Sequence, residues 1–523
     1  MVRKKWFSCI VFVLMMTMLL TACGSNGETV AANDNDVAKT ETSGEEPMKI
    51  KIITYNQVGY PAIDGTEVQK IVEERFNVDF DVVEMDIFEP EQFNLYFAQG
   101  GEADVICTAN TGITELIDQG ILREISMDDL YDKMPTWMNK IEELVGDAEL
   151  VKTLSQYNGK NYCIPYTHGP AMESGTMIVR KDWMENVGLD SVASIEEFEA
   201  LLDAFTYGDP DGNGVDDTYG IHGGQRYRFN YIWGAYGIMP DSYYVENDEV
   251  IYTSITDEYK EVLKLLNKWY KAGYIDPEFT TDDRTMQRNK WSEGKFGVLE
   301  DNAYWCDSVR GASGVLEMLE TKNENATFEF LEPFPGPEGD MGSMVDFPTL
   351  IGDGAMYFGI NASDEVVHKM MEIKEAMASD WELYERCYYG EEGVDYTYEN
   401  DILTVNPEES AEDYTEKGLR HTWAMMPTTF EWMEKSMNER DKEIHSAALS
   451  QPTVYSGTAF PINGTCESLT IKGEDVNKLV SEYYFNAITG KVDIDSSWDD
   501  HVQEVLNAGL SDILAEYNEI RVK

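Results

Sequence analysis

The chain has 523 residues, with 98 Asp and Glu against 40 Lys and Arg, which gives a formal net charge of −58. Apolar residues make up 42%, enough to build packed cores, so a wholly disordered acidic chain is excluded. A field of this sign repels polyanions, which excludes nucleic acid and anionic lipid as partners and argues against acidic substrates.

Arg3, Lys4 and Lys5 precede an apolar run from Trp6 to Leu20. The run is short and has a basic flank, so residues 1–22 read as a signal peptide. Leu20-Thr21-Ala22-Cys23 follows, small residues ending in a cysteine. That pattern resembles the lipobox of bacterial lipoproteins, which implies lipidation at Cys23 and a cell-membrane anchor on the extracytoplasmic face. Residues 23–47 hold Gly, Ser, Asn, Thr, Ala, Asp and Glu with almost no large apolar residue and read as a flexible tether. Apart from Cys9 and Cys23 the cysteines are Cys107, Cys163, Cys306, Cys387 and Cys466. No CxxC spacing occurs among them, so they read as buried apolar thiols with room for one unassigned bridge.

From Met48 the pattern becomes globular. Lys49 to Tyr55 alternates as a first strand, Thr66 to Phe76 is an amphipathic helix, and Asn77 to Glu84 is a second strand. A helix ending at Ala98 and a short buried strand over Ala103–Cys107 come next. Strands alternating with helices predict an α/β fold with a largely parallel sheet. Further strands are predicted at Tyr162–Tyr166, Thr176–Val179, Gly297–Leu299 and Thr327–Glu332. Helices are predicted at Ile195–Phe205, Glu258–Ala272, Val366–Ala378 and Val476–Ala487. Trp183, Trp269 and Trp498 sit in helical patterns and are assigned to the core.

Asp209-Pro210-Asp211-Gly212-Asn213-Gly214-Val215-Asp216-Asp217 is the sharpest chemical motif. Asp209, Asp211 and Asn213 put oxygens at loop positions 1, 3 and 5, Gly214 supplies the turn at position 6, the Val215 carbonyl stands at 7 and Asp217 at 9. Hard cations take such oxygen sets, so a structural Ca2+ is expected there. The match breaks at position 12, where Gly220 replaces the bidentate glutamate. The histidines show no metal-ligand spacing, which argues against zinc. No GxSxG elbow, HExxH, Walker A loop or GxGxxG after a strand occurs.

Several stretches in consistent order resemble the extracellular solute-binding lipoproteins of ABC importers. They are Asn158-Gly159-Lys160-Asn161-Tyr162-Cys163-Ile164-Pro165, Ile178-Val179-Arg180-Lys181-Asp182-Trp183 with Val187-Gly188-Leu189, Ser194-Ile195-Glu196-Glu197-Phe198, Gly294-Lys295-Phe296-Gly297, and Gly490 through Trp498 to Gly509-Leu510. The resemblance implies a two-lobed fold of the periplasmic-binding-protein type II kind, with interleaved lobes and a ligand cleft at the hinge. It implies no catalysis, a monomer, and delivery of a captured oligosaccharide to a permease; the net charge leans that sugar toward a neutral one. Lobe 1 is expected to include residues 48–165 and about 335–390, and lobe 2 residues 166–334 and about 391–523. Ligands of open α/β sheets lie at strand carboxyl ends, and sugars need aromatic faces beside polar groups. The candidate ligand residues are therefore Tyr55, Asn56, Gln57, Thr108, Asn110, Tyr166, Trp233, Asn302, Tyr304 and Trp305. A secreted carbohydrate hydrolase and a peptide-binding or adhesive surface lipoprotein are the alternatives.

Overall fold

In a computed structural model of the chain the residues described are 46–56, 60–107, 109, 113–167, 174–224, 228–308, 314–399, 402–406, 410–421, 423 and 425–522. The strands that position the site are β1 (Met48–Ile53), β2 (Val78–Val82), β3 (Val105–Cys107), β4 (Cys163–Ile164), β5 (Gly175–Arg180), β6 (Tyr219–Ile221), β7 (Phe296–Asn302), β8 (Phe328–Leu331), β9 (Ser343–Asp346), β10 (Met356–Phe358) and β11 (Thr453–Ser456).

The first sheet has the order β2-β1-β3-β10-β4. β1 runs parallel to β2 and β3, while β10 runs antiparallel to β3 and β4. The carboxyl ends of β1, β3 and β4 and the amino end of β10 therefore lie along one edge. The connections follow from local sequence. Thr66 caps the helix Glu67–Phe76 by accepting from the Gln69 N–H, and Asn77 ends it in a left-handed conformation at φ 53. β2 then alternates buried and exposed residues, as a strand covered on one face does.

The second sheet has the order β8-β5-β7-β6, with β7 antiparallel to β5 and parallel to β6. β5 is buried along its whole length. Gly297 in β7 is required because a Cβ there would come within 2.1 Å of the Phe205 ring. The Ser194 side chain caps the helix Ile195–Tyr207, and Trp183, Trp269 and Trp498 are all buried in this body's core.

Each sheet carries its own cores. Residues from Ile50 to Tyr166 and from Leu350 to Trp432 surround the first sheet. Residues from Met177 to Phe334 and from Ile444 to Tyr517 surround the second. The chain thus crosses between the bodies after Tyr166, before Leu350 and after Trp432, which is the interleaved two-lobed arrangement. The boundaries differ from those expected. Tyr396, Leu403, Leu419 and Trp423, placed beyond the expected limit near residue 390, pack with Ile50 and Ile52 in the first core. Met344, expected with the first lobe, packs against the second core. The reason is pairing across the crossing, since β9 bonds to β11 from a segment far along the chain, and no local pattern reports that. Cys107, Cys163, Cys306, Cys387 and Cys466 are buried and form no disulfide among the described residues. No described helix is long and apolar enough to cross a membrane.

Candidate functional site

The aligned strand ends of the first body gather Tyr55, Tyr166 and Gly354. The Tyr55 ring meets Phe88 edge-on at 5.3 Å between centroids. Burial, then the charge and hydrogen bond of Asp353, push its hydroxyl pKa upward, so it stays a neutral donor. Tyr166 follows β4 and is 6% exposed. Its ring lies 2.3 Å from where a Cβ on Gly354 would stand, and Met425 closes the same space. Gly354 also has φ +77, so close approach and backbone conformation both demand glycine there. Beneath this wall Trp137 Nε1 donates to the Pro165 carbonyl at 2.8 Å. The Lys374 ammonium donates to the Met425 carbonyl at 2.7 Å and lies 5.4 Å from the Trp137 ring centroid. Lys374 thus supports both segments that form the wall.

Asn56 is a correction. It is 1% exposed, and its amide donates to the Tyr60 carbonyl at 2.8 Å and to Asp86 at 3.0 Å while accepting from the Ile87 N–H at 3.2 Å. Its polar atoms hold a loop. Gln57, Thr108 and Asn110 lie outside the described residues, as does Cys23.

The second body contributes the carboxyl end of β7. Trp233, expected in the cleft, is fully buried, stacked on Tyr259 at 5.0 Å, and donates its indole N–H to the Arg228 carbonyl at 2.7 Å. It is core. Its helix, Asn230–Ala235, is preceded by Phe229, a non-glycine residue with φ 67, and Glu300 holds that turn by accepting the Phe229 and Asn230 N–H groups. Burial pushes the Glu300 carboxyl up to about 7 against the pull of those two donors and of Arg228.

Asp301, beside it, bonds Arg288 through Nε at 2.6 Å and Nη2 at 2.9 Å, and also bonds Arg284. Burial raises its pKa, but the Arg288 hydrogen bond and the charges of Arg284, Arg288 and Arg228 outweigh that and hold it below the usual range. The Arg288 guanidinium sits 3.9 Å from the Trp305 ring centroid, and Tyr304 meets Trp305 edge-on at 6.1 Å. Tyr304 and Trp305 are partly exposed. Arg284 Nε and Asn302 Oδ1 are buried with no hydrogen-bond partner among the described residues. Just beyond Trp305, the charge of Asp307 adds a small upward push to the Tyr389 hydroxyl of the first body, whose pKa is raised mainly by burial. The Arg cluster was missed from sequence. Its signal was an i, i+4 arginine pair in a strongly acidic chain.

The expected calcium loop has its predicted turn. Asp209 accepts the Gly214 N–H at 3.0 Å, as position 1 does toward position 6. The Asn213 amide nitrogen bridges Asp211 at 2.8 Å and Asp217 at 3.1 Å, and its oxygen accepts the Val215 N–H at 2.7 Å. A cation would need that amide turned, so that oxygen replaces nitrogen between the two carboxylates. Position 12 cannot supply an acid, because a Cβ on Gly220 would come within 2.8 Å of Leu202. The donor set still fits a hard cation with water completing the shell. Elsewhere His222, Asp276 and Asp282 have ligand atoms within 4.8 Å of one another. There the Lys290 ammonium lies 2.5 Å from Asp282 and 3.1 Å from Asp276 and supplies the positive charge itself.

A model of the bacterial extracellular solute-binding proteins matches residues 72–365. Lipoprotein LipO of Bacillus subtilis is 25% identical over 82% of this chain and 83% of its own length. The polygalacturonan/rhamnogalacturonan-binding protein YtcQ of Bacillus subtilis is 22% identical over 97% of this chain and 98% of its own. Among solved structures, an EF-hand mutant of the Streptococcus pneumoniae ABC-transporter substrate-binding protein FusA in complex with fructo-nystose superposes with a TM-score of 0.62 at 20% identity, over 90% of this chain and 98% of that one.

Proposed function

The chain belongs to the bacterial extracellular solute-binding protein family, and on that premise we propose that it is the lipid-anchored capture subunit of an ABC importer, binding an extracellular oligosaccharide between its lobes and handing it to a permease. The carrying observation is the pair of walls at strand carboxyl ends. One holds Tyr55 and Tyr166, and the other holds Trp305, Tyr304 and Asn302 with orphaned polar atoms, on lobes joined by crossing segments. Aromatic faces beside unsatisfied donors and acceptors suit a sugar ring with its hydroxyls. The names of YtcQ and FusA support the saccharide; the name of LipO supports lipidation at Cys23 after removal of residues 1–22. Lobe closure is a hinge motion about the crossings, and the monomer binds without turnover.

The test is a thermal-shift and tryptophan-fluorescence screen over oligosaccharides and peptides. Saturable quenching with a raised melting temperature and no released reducing ends is expected. Peptide binding alone, or product release, would sink the reading.

Calcium in the 209–217 loop is the structural cofactor of this reading, held by Asp209, Asp211, Asn213, Asp217 and the Val215 carbonyl, with the FusA EF-hand variant in support. At a hundredfold excess over its dissociation constant a bound ion adds about 2.7 kcal/mol to the folded state. Melting is expected to rise with calcium, fall back with chelator, and lose that response in Asp209→Ala. A melting curve indifferent to both reagents removes the ion.

A further inference from the structure

The candidate site carries a charge that the whole chain does not. Arg284 and Arg288 stand one turn apart on the helix Arg284–Ser292 and share Asp301. Arg228 adds a third positive charge within reach of Asp301 and Glu300. Against these stand one ionised Asp301 and Glu300, whose oxygens are taken by backbone N–H groups and whose pKa near 7 leaves it only partly charged. The nearby acids are engaged elsewhere. Asp283 caps the helix through the Met286 N–H at 2.8 Å, and Asp282 binds His222 at 2.9 Å and Lys290. Around Asp301 itself, three guanidiniums thus face one ionised and one partly ionised carboxylate, in a chain of −58.

Neutralising Asp301 does not explain the cluster. A guanidinium has five N–H donors, and Arg288 alone pairs Asp301 through two of them. Arg284 is superfluous for that purpose; its side chain is 39% exposed, and its Nε is buried without a partner. The fixed, planar surface of Arg288 on Trp305 lies beside it. Planar, always-charged forks of this kind match carboxylates. The global negative field does not oppose this at contact range, because exposed charges beyond about 8 Å are screened at physiological ionic strength.

We propose that this wall receives a carboxylate-bearing sugar, so that the oligosaccharide contains uronic acid units, with Arg284 bonding the carboxylate and Trp305 and Tyr304 lining the ring. This rests on the saccharide reading above and reverses the neutral ligand expected from net charge. Asn302 Oδ1, the orphaned acceptor on the same strand end, takes a hydroxyl.

The test is calorimetric titration of the full chain with short galacturonate, mannuronate and glucuronate oligomers, the same oligomers methyl-esterified, and neutral galacto-, manno- and gluco-oligomers. One acid series is expected to bind at least about tenfold tighter than its ester, since a charge-assisted hydrogen bond is worth that much. Arg284→Gln should weaken the acid by about tenfold and the ester by less than about twofold, and Arg284→Lys should keep part of the preference. If the Gln variant does not fold, the acid-to-ester ratio of the native chain and the Lys variant decide. An ester or neutral oligomer that binds as tightly as the acid overturns the anionic inference and leaves the sugar reading standing. Equal weakening of acid and ester by Arg284→Gln overturns it too. Failure of every saccharide removes both.

Discussion

Replacing Asp301 with alanine is expected to lower the unfolding free energy by about 3–5 kcal/mol, the range seen when one partner of a buried ion pair is removed. Asp301 is 2% exposed and Arg288 8%. The variant would leave the Arg288 charge without its two-point acceptor, and Arg284 would lose its partner as well. The Asp301 backbone carbonyl, which accepts from the Thr176 hydroxyl at 2.8 Å, is untouched, so the loss comes from the carboxylate. The check is urea denaturation of Asp301→Ala, of Arg288→Met and of the double variant. Removing both charges from a buried pair is often nearly neutral, so the double variant should recover much of the loss. If the double variant is as unstable as Asp301→Ala, orphaned charge is not the cause. The pH dependence has a fixed sign. The Asp301 pKa is lowered in the folded protein, so its contribution is present above the unfolded value of about 3.9 and is lost as pH falls through the folded value. The variant should lack that part of the acid transition.

These residues also mark what the sequence could and could not convey. Alternation gave the strands, because a half-buried strand such as Val78–Val82 must alternate. Helical periodicity placed the helices that Thr66 and Ser194 turn out to cap. The assignment of Trp233 to the cleft misled. Whether Trp233 faces solvent depends on the left-handed turn at Phe229 and on Glu300, a residue far along the chain, and no spacing rule reaches that distance. Asn56 misled in the opposite way, since a strand-end asparagine suits a ligand and a loop equally until its partners Asp86 and Ile87 are seen. The loop from Asp209 was legible as a pattern, yet the turn of the Asn213 amide was not. Tyr304 and Trp305 could be placed at the end of β7 because a strand end is a local feature. Their arginine neighbours come from a separate helix that only the fold brings alongside.

Lys374 carries the other large effect, and it too was readable in part. Val366, Val367, Met370, Met371, Met377 and Ala378 form the buried stripe of the helix Asp364–Ser379, and Lys374 falls inside it. Burial lowers its pKa to about 8, with a small opposing contribution from Cys107. An unfolded lysine titrates near 10.4, so the shift corresponds to roughly 3 kcal/mol of cost for keeping the ammonium buried at neutral pH. The sign follows from proton counting. Between about pH 8 and 10.5 the unfolded chain holds a proton that the folded one has released, so this group makes stability rise with pH across that window. Lys374→Met should be more stable than the native chain at pH 7, by less than the full cost because the Met425 carbonyl loses its donor, worth about 1–3 kcal/mol. Its stability should lack the rise between pH 8 and 10.5, so its advantage should vanish within that window and the native chain should end ahead by about the lost hydrogen bond. Chemical denaturation across this range reads both quantities. A native chain whose stability is flat from pH 8 to 10.5 relative to Lys374→Met would show that no buried ammonium is being neutralised. The proposed ligand wall offers a use for such a costly group. The same ammonium holds Met425 against Gly354 and Tyr166 and lies against Trp137, which holds Pro165. The more stable variant is therefore expected to bind its sugar less tightly, the exchange of stability for function seen at preorganised sites.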